Sequence, residues 1–186
     1  MKIISGKYKG LTLPKAYSFT RPTTSKVKEA IFSKLENKID FSQFIVYDLF
    51  AGTGALGFEA LSRGAKEVYL IDNSKKVVDC IESFCENISL KQKDISIFEN
   101  IKIKHLDAAK VKILKNALVF LDPPYSFEVN RISKMKNLEN ASLIVYEHSA
   151  KTHIDFENGI FKNFYLEDES IYSDTIISFI CKKMLD

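Results

Sequence analysis

No stretch of the 186-residue chain holds the roughly 18 consecutive apolar residues that a membrane-spanning helix needs, so no membrane partner is expected. The opening run Met1-Lys2-Ile3-Ile4-Ser5-Gly6-Lys7 lacks the apolar core of a secretory leader. Cysteine is scarce: three residues without paired spacing exclude a disulfide scaffold and suit a reducing, cytoplasmic setting. No internal repeat and no Pro/Gly/Ser-rich linker divides the chain, and the length suits one domain. Acidic residues are missing from positions 1–28, which carry seven basic ones (Lys2, Lys7, Lys9, Lys15, Arg21, Lys26, Lys28). The remainder holds 20 basic and 24 acidic residues, so a basic arm precedes a slightly acidic body. Such an arm is a candidate grip for a polyanion, and an arm that is merely solvated is the alternative.

Apolar periodicity places the elements. Ile3-Ile4, a turn at Ser5-Gly6 and Tyr8 to Leu13 read as a short hairpin. Pro14 and Pro22 bracket an irregular stretch, since proline cannot donate to a ladder. Thr24 or Ser25 can cap a helix to about Leu35, with Val27, Ala30, Ile31 and Leu35 on one face. Strands are then expected at Phe44–Phe50, Glu67–Asp72, Ile101–His105, Ala117–Leu121 and Leu143–Glu147. Helices fall between them: Ala55–Arg63 closed by Gly64, Ser74 to about Leu90, a short Ala108–Leu114, and a weak one near Arg131–Leu138. Phe161–Glu167 and Thr175–Lys182 are strands with no helix between them. This alternation predicts an α/β fold, a mainly parallel sheet with one antiparallel strand. Residues 1–40 are expected as an extension packed on a body of residues 41–186.

In such sheets ligands bind beyond the carboxyl ends of the strands, so the residues after each strand matter most. After the first comes Asp48-Leu49-Phe50-Ala51-Gly52-Thr53-Gly54-Ala55-Leu56-Gly57, whose glycines match G-x-G-x-x-G between a strand and a helix. A dinucleotide would lay an anionic pyrophosphate on this loop, against the carboxylate of Asp48. S-adenosylmethionine brings a sulfonium and an ammonium instead, which an acid there would welcome. Asp72, 20 residues after Gly52, can accept both hydroxyls of a ribose. Asp107 can accept from an adenine amino group, or simply cap a helix beginning at Ala108.

The fourth strand ends in Asp122-Pro123-Pro124-Tyr125. Two prolines fix the backbone so that a carbonyl and the Asp122 carboxylate converge. Both are acceptors, suited to the two N–H bonds of an exocyclic amine, while Tyr125 offers a flat face to a base. A plain rigid turn is the bland alternative.

Four stretches together resemble the RsmD-type family, the bacterial small-subunit (16S) ribosomal RNA guanine-N2-methyltransferases. They are Ile3–Gly10 (IISGKYKG), Arg21–Phe32 (RPTTSKVKEAIF), Asp48–Ala65 (DLFAGTGALGFEALSRGA) and Leu121–Tyr125 (LDPPY). The resemblance implies a Rossmann-like seven-stranded methyltransferase sheet, S-adenosyl-L-methionine as donor, and a guanine of 16S ribosomal RNA in an assembling 30S particle as target. It puts the cofactor loop on Asp48, Gly52 and Gly54, the ribose acid on Asp72 and catalysis on Asp122, Pro123, Pro124 and Tyr125. Phe50, Ala51, Thr53, Asn73, Asp107 and Ala108 complete the expected cofactor set. Lys7, Lys9, Arg21, Lys26 and Lys28 are the expected RNA contacts, with Arg21 an alternative cover for the cofactor. The chain departs from the family at Ser25 (usually acidic), Thr53 (Ser), Asp72 (Glu), and Lys26 and Lys28 (Arg). The lysines keep charge but lose bidentate phosphate geometry.

An adenine-N6 methyltransferase shares the tetrapeptide, but such enzymes usually carry a recognition domain for which the length leaves little room. A noncatalytic RNA-binding assembly factor is the rival of a different class, and the intact tetrapeptide argues against it. His105, His148 and His153 fit no metal-ligand spacing, so no metal is expected. Cys80 and Cys85 fall on different helix faces and read as core thiols. Glu147-His148 closes the fifth strand near the site. A monomer is expected.

Overall fold

The computed structural model describes residues 1–14, 25–92, 98–124, 127, 129–135 and 137–184. Seven strands build one sheet: β1 (Ile45–Asp48), β2 (Glu67–Asp72), β3 (Ile101–His105), β4 (Ala117–Leu121), β5 (Ala141–Ser149), β6 (Phe164–Tyr172) and β7 (Thr175–Lys182). Their order is β3-β2-β1-β4-β5-β7-β6. Parallel pairing joins β3, β2, β1, β4 and β5, with Asp48 beside Leu70 on one side and Phe120 on the other. Strand β7 runs antiparallel to both β5 and β6, the one reversed strand that the sequence predicts. The chain leaves β1 toward β2 on one side, while β4 lies on the other. The crevice of a doubly wound sheet therefore opens at the carboxyl ends of β1 and β4.

Helices α1 (Ser25–Glu36), α2 (Ala55–Ser62) and α3 (Lys75–Gln92) share one face of the sheet. There Phe32 of α1 packs its ring on Phe41 and Phe120, and Phe58 of α2 meets Phe84 of α3. All five residues of β4 are buried, as a central strand covered on both faces requires. The opposite face is roofed by short 3-10 turns. The expected helix Ala108–Leu114 is one turn, Ala108–Lys110, after which Val111 goes extended. The weak helix near Arg131–Leu138 resolves into turns Val129–Lys134 and Leu138–Asn140, separated near Asn137 in the left-handed region (φ 64°). Segments this short cannot repay helix nucleation and settle for 3-10 geometry. Another turn, Gly159–Phe161, takes the start of the expected sixth strand, which begins at Phe164. Among the described residues no helix is long and apolar enough to cross a membrane.

The amino-terminal segment forms a tight two-arm loop rather than a regular hairpin. Ile3 N–H donates to Leu11 O (3.0 Å), Gly10 N–H to Ile3 O (2.9 Å), and one bridge joins Lys2 to Thr12. Helix α2 holds it in place. The Glu59 carboxylate accepts from the backbone N–H groups of Ile4 (2.9 Å) and Ser5 (3.0 Å), from Arg63 Nε (2.9 Å) and from Lys28 Nζ (2.7 Å). Lys28 Nζ also donates to Lys2 O (2.8 Å), so one buried pair ties the loop, α1 and α2 together. Burial lowers the Lys28 pKa. Burial pushes Glu59 upward, but the hydrogen bonds and charge it receives prevail and hold it below the usual carboxylate range.

This arrangement corrects the expectation that Lys28 meets RNA. Its side chain is fully buried, on the face of α1 shared by Ile31, Phe32 and Leu35, and its charge is spent on Glu59. Removing one partner of a buried pair strands the other charge, at a cost of about 3–5 kcal/mol. Glu59→Ala should lose stability on that scale in chemical denaturation. A loss below about 1 kcal/mol, the range of exposed pairs, would contradict the clasp.

Candidate active site

Four strand ends supply the site. Asp48 closes β1 as a fully buried carboxylate. Its Oδ2 accepts from Gly57 N–H (3.1 Å), and Phe50 N–H also donates to it. Desolvation, outweighing these bonds and aided by the negative charges of Asp122 and Asp72, raises its pKa to about 7. A buried acid so poorly solvated would gain from a cation placed beside it.

The loop after β1 owes its shape to glycine. Gly52 (φ 53°) and Gly54 (φ 74°) lie in the left-handed region, where other residues are strained. Among the described residues other than its chain neighbours, a methyl group on Gly52 would come no nearer than 3.9 Å to any atom, so no side chain there packs against this backbone. One on Gly54 would strike the Phe58 ring at 2.6 Å, and one on Gly57 would strike Leu70 at 2.2 Å. The first glycine thus leaves room for a ligand, while the other two let α2 lie close on β2. Ala51 N–H anchors the loop to Ile71 O (2.9 Å).

Asp72, at the end of β2, braces the same loop. Its Oδ2 accepts from Gly52 N–H (3.1 Å) and its Oδ1 from Ser74 N–H (2.9 Å) at the start of α3. Each oxygen keeps a lone pair for a further donor. Asn73 is exposed beside it, its carbonyl held to His105 Nε2 (3.0 Å). Past β3, Asp107 does cap the turn at buried Ala108, accepting from Ala109 N–H (2.9 Å) on Oδ1. Its Oδ2 pairs with Arg131 (2.6 Å).

Past β4, Asp122 and Pro123 are half-buried and Pro124 is exposed. The Pro124 carbonyl accepts from Phe127 N–H (2.7 Å). Phe127 meets Phe50 of the glycine loop edge to face at 5.0 Å, and the Arg131 guanidinium lies 5.0 Å from the Phe127 ring. Sequence reasoning missed Phe127 and Arg131, which link the loops after β1, β3 and β4. Only proximity to the tetrapeptide could have flagged them. It also missed Glu59, whose signal was the one acid in a mostly apolar helix. Tyr125 and Arg21 lie outside the described residues. Of the expected RNA contacts, Lys7, Lys9 and Lys26 are exposed.

A sheet of this order, with glycine loop and acids at its switch point, defines a methyltransferase fold. A family model described as "Conserved hypothetical protein 95" matches residues 1–180, and the chain belongs to that family, the RsmD-type family. A Bacillus subtilis (strain 168) protein named "Putative rRNA methyltransferase YlbH" is 35% identical over 160 residues, covering 83% of this chain and 85% of that protein. A "Ribosomal RNA small subunit methyltransferase D" of Buchnera aphidicola subsp. Acyrthosiphon pisum is 31% identical over 159 residues, 82% of this chain and 80% of that one. In fold, the solved structure of "Putative methyltransferase yhhF from Escherichia coli" superposes with a TM-score of 0.77 at 23% identity, covering 98% of each chain.

The raised Asp48 pKa has a sign that can be tested. Between the ordinary value of 3.8 and about 7 the folded protein holds a proton that the unfolded chain has lost. Stability from this group is therefore full below 3.8 and falls as pH rises toward 7. Asp48→Asn stays neutral throughout, so its melting temperature should gain on the wild type from about pH 4 to about pH 8. Melts showing a pH-independent difference would contradict the assignment.

Proposed function

We propose that the protein transfers a methyl group from S-adenosylmethionine to the exocyclic N2 of a guanine in small-subunit ribosomal RNA, within an assembling particle. The observation that carries this reading is the placement of Asp122-Pro123-Pro124 at the switch point, one strand from the glycine loop and Asp48. The names of the relatives support the RNA class.

The residues present fit the donor. The open backbone at Gly52 admits a ligand, Asp72 has lone pairs for ribose hydroxyls, and buried Asp48 suits a cation rather than a phosphate. When bound, S-adenosylmethionine supplies a methyl group already activated on a sulfonium. The chain's own task is alignment and electrostatics. We assign the Pro123 carbonyl, the one adjoining Asp122, as its partner; the Pro124 carbonyl already accepts from Phe127 N–H. Together they accept both N–H bonds of the amine and favour a pyramidal nitrogen with its lone pair released from the ring. Asp122 then stabilises the positive charge that develops on that nitrogen. A base within structured RNA must unstack to reach this edge.

The test is transfer from labelled S-adenosylmethionine to small-subunit particles lacking the modification, compared with free RNA and DNA. Wild-type protein should label the particle RNA as N2-methylguanine. Asp122→Ala should cut the rate by about 10²–10³ while cofactor affinity holds, the scale of one lost transition-state contact. Near-wild-type turnover of that variant, or label on DNA alone, would remove the reading.

The exposed lysines of the arm grip phosphate and carry no base identity. Lys7, Lys9 and Lys26 replaced together by Ala should reduce the salt slope of particle binding by roughly 0.7–0.9 per lost contact. Cofactor affinity should be unchanged. An unaltered slope would make the arm structural.

A further inference from the structure

The register of β4 and β5 sets a second carboxylate beside the tetrapeptide. Leu121 pairs with Tyr146, and the next residues along these parallel strands are Asp122 and Glu147. Side chains alternate in β5: Ile144 and Tyr146 enter the core on one face, Leu143 and Val145 on the other. Glu147 therefore shares the face of Val145, the face that Leu118 and Phe120 of β4 also use. Its cross-strand neighbour in β7 is apolar Ile177. One Glu147 carboxylate oxygen is buried, so the acid is not a solvated surface charge.

Two acids at one level of adjacent strands offer a row of acceptors along the crevice. The proposed substrate supplies donors in that pattern. Along its pairing edge guanine presents N1–H and, next to it, the N2 amine, whose second N–H points toward the minor-groove side. Adenine presents an acceptor at its ring N1. If Asp122 and the Pro123 carbonyl take the N2 hydrogens, the acceptor one strand over falls beside ring position 1.

Resting on the guanine-N2 reading above, we propose that Glu147 is the specificity-determining residue, accepting the guanine N1–H while Asp122 and Pro123 hold the N2 amine. Glu147 selects guanine positively and rejects bases with a lone pair at N1. It orients the base and takes no proton from the reacting nitrogen.

The experiment compares two substrates that share the N2 amine. Particles are reconstituted with RNA carrying either guanine or 2-aminopurine at the position the wild type methylates. 2-Aminopurine keeps the amine but has a lone pair at N1. Wild-type protein should prefer guanine by at least about 10²-fold in kcat/KM, toward the roughly 10⁴-fold that a site built around one substrate N–H reaches against an analogue lacking it. In Glu147→Gln the amide can donate to N1 of 2-aminopurine or accept from guanine, so the preference should fall to within about tenfold of unity. Glu147→Asp keeps the carboxylate and should keep the preference at lower rate. A merely structural Glu147 would slow both substrates equally and leave the ratio untouched, which overturns the inference. If Glu147→Gln fails to fold, the wild-type ratio still decides: equal rates on both bases overturn it. Wild-type protein that makes no N2-methylguanine overturns the guanine-N2 reading and this inference with it, whereas N2-methylguanine with an unaltered ratio overturns this inference alone.

Discussion

A carboxylate without adequate solvation at the carboxyl end of β1 is the constraint from which the site follows. Asp48 is 2% exposed, braced by the Gly57 and Phe50 amides, and repelled by Asp122 and Asp72. Keeping it there requires α2 to begin at once, so that Gly57 can reach back 3.1 Å to it. That close return in turn requires residues without a Cβ where Phe58 and Leu70 press on Gly54 and Gly57. The glycine pattern thus serves packing as much as ligand approach. In the proposed reading, the same acid would favour a cation over a phosphate in the crevice, which is what would separate a methyl donor from a dinucleotide on closely similar loops.

The second organising element is the helix that the loop launches. Helix α2 carries Asp48's partner Gly57 near its start and Glu59 two residues on. Glu59 in turn clasps the amino-terminal loop and α1 through Lys28. The basic arm is therefore built onto the helix that forms the glycine loop's far side, and the exposed Lys7, Lys9 and Lys26 are presented from a braced base. Lys34 of α1 and Lys38, just past its end, pair with Asp168 and Glu167 of β6, while Phe32 of α1 packs on Phe120 of β4, so that this segment reaches from β4 to the edge strand.

The strands of this fold were readable wherever burial on both faces left an unbroken apolar run, as in Ala117–Leu121, or where β-branched residues met turn signals, as in Glu67–Asp72. The roof over the opposite face was not, because segments such as Ala108–Leu114 carry helix-like spacing but are too short to hold a helix against extended packing of Val111 and Ile113. At the candidate site, the sheet sets Asp48, Asp72, Asp107 and Asp122 at or just past the ends of β1, β2, β3 and β4, the positions to which the strand-end rule and the glycine pattern point. Lys28 was misread because charge counting cannot see that a lysine one residue past Val27 falls on the buried stripe of α1, where a distant Glu59 awaits it. Arg131 and Phe127 were invisible for a related reason. Their partners, Asp107 and Phe50, are brought to them by the sheet and not by sequence spacing.

The central claim, that buried Asp48 makes this crevice a cation site, is tested most directly by calorimetric titration of S-adenosylmethionine in buffers of different ionisation enthalpy. With its pKa raised to about 7, unliganded Asp48 is largely protonated near pH 6, and a bound cation should expel that proton. The account predicts net proton release near pH 6, vanishing by about pH 8, with affinity rising over the same interval. Binding without proton release, or binding that tightens as the pH falls, would contradict it.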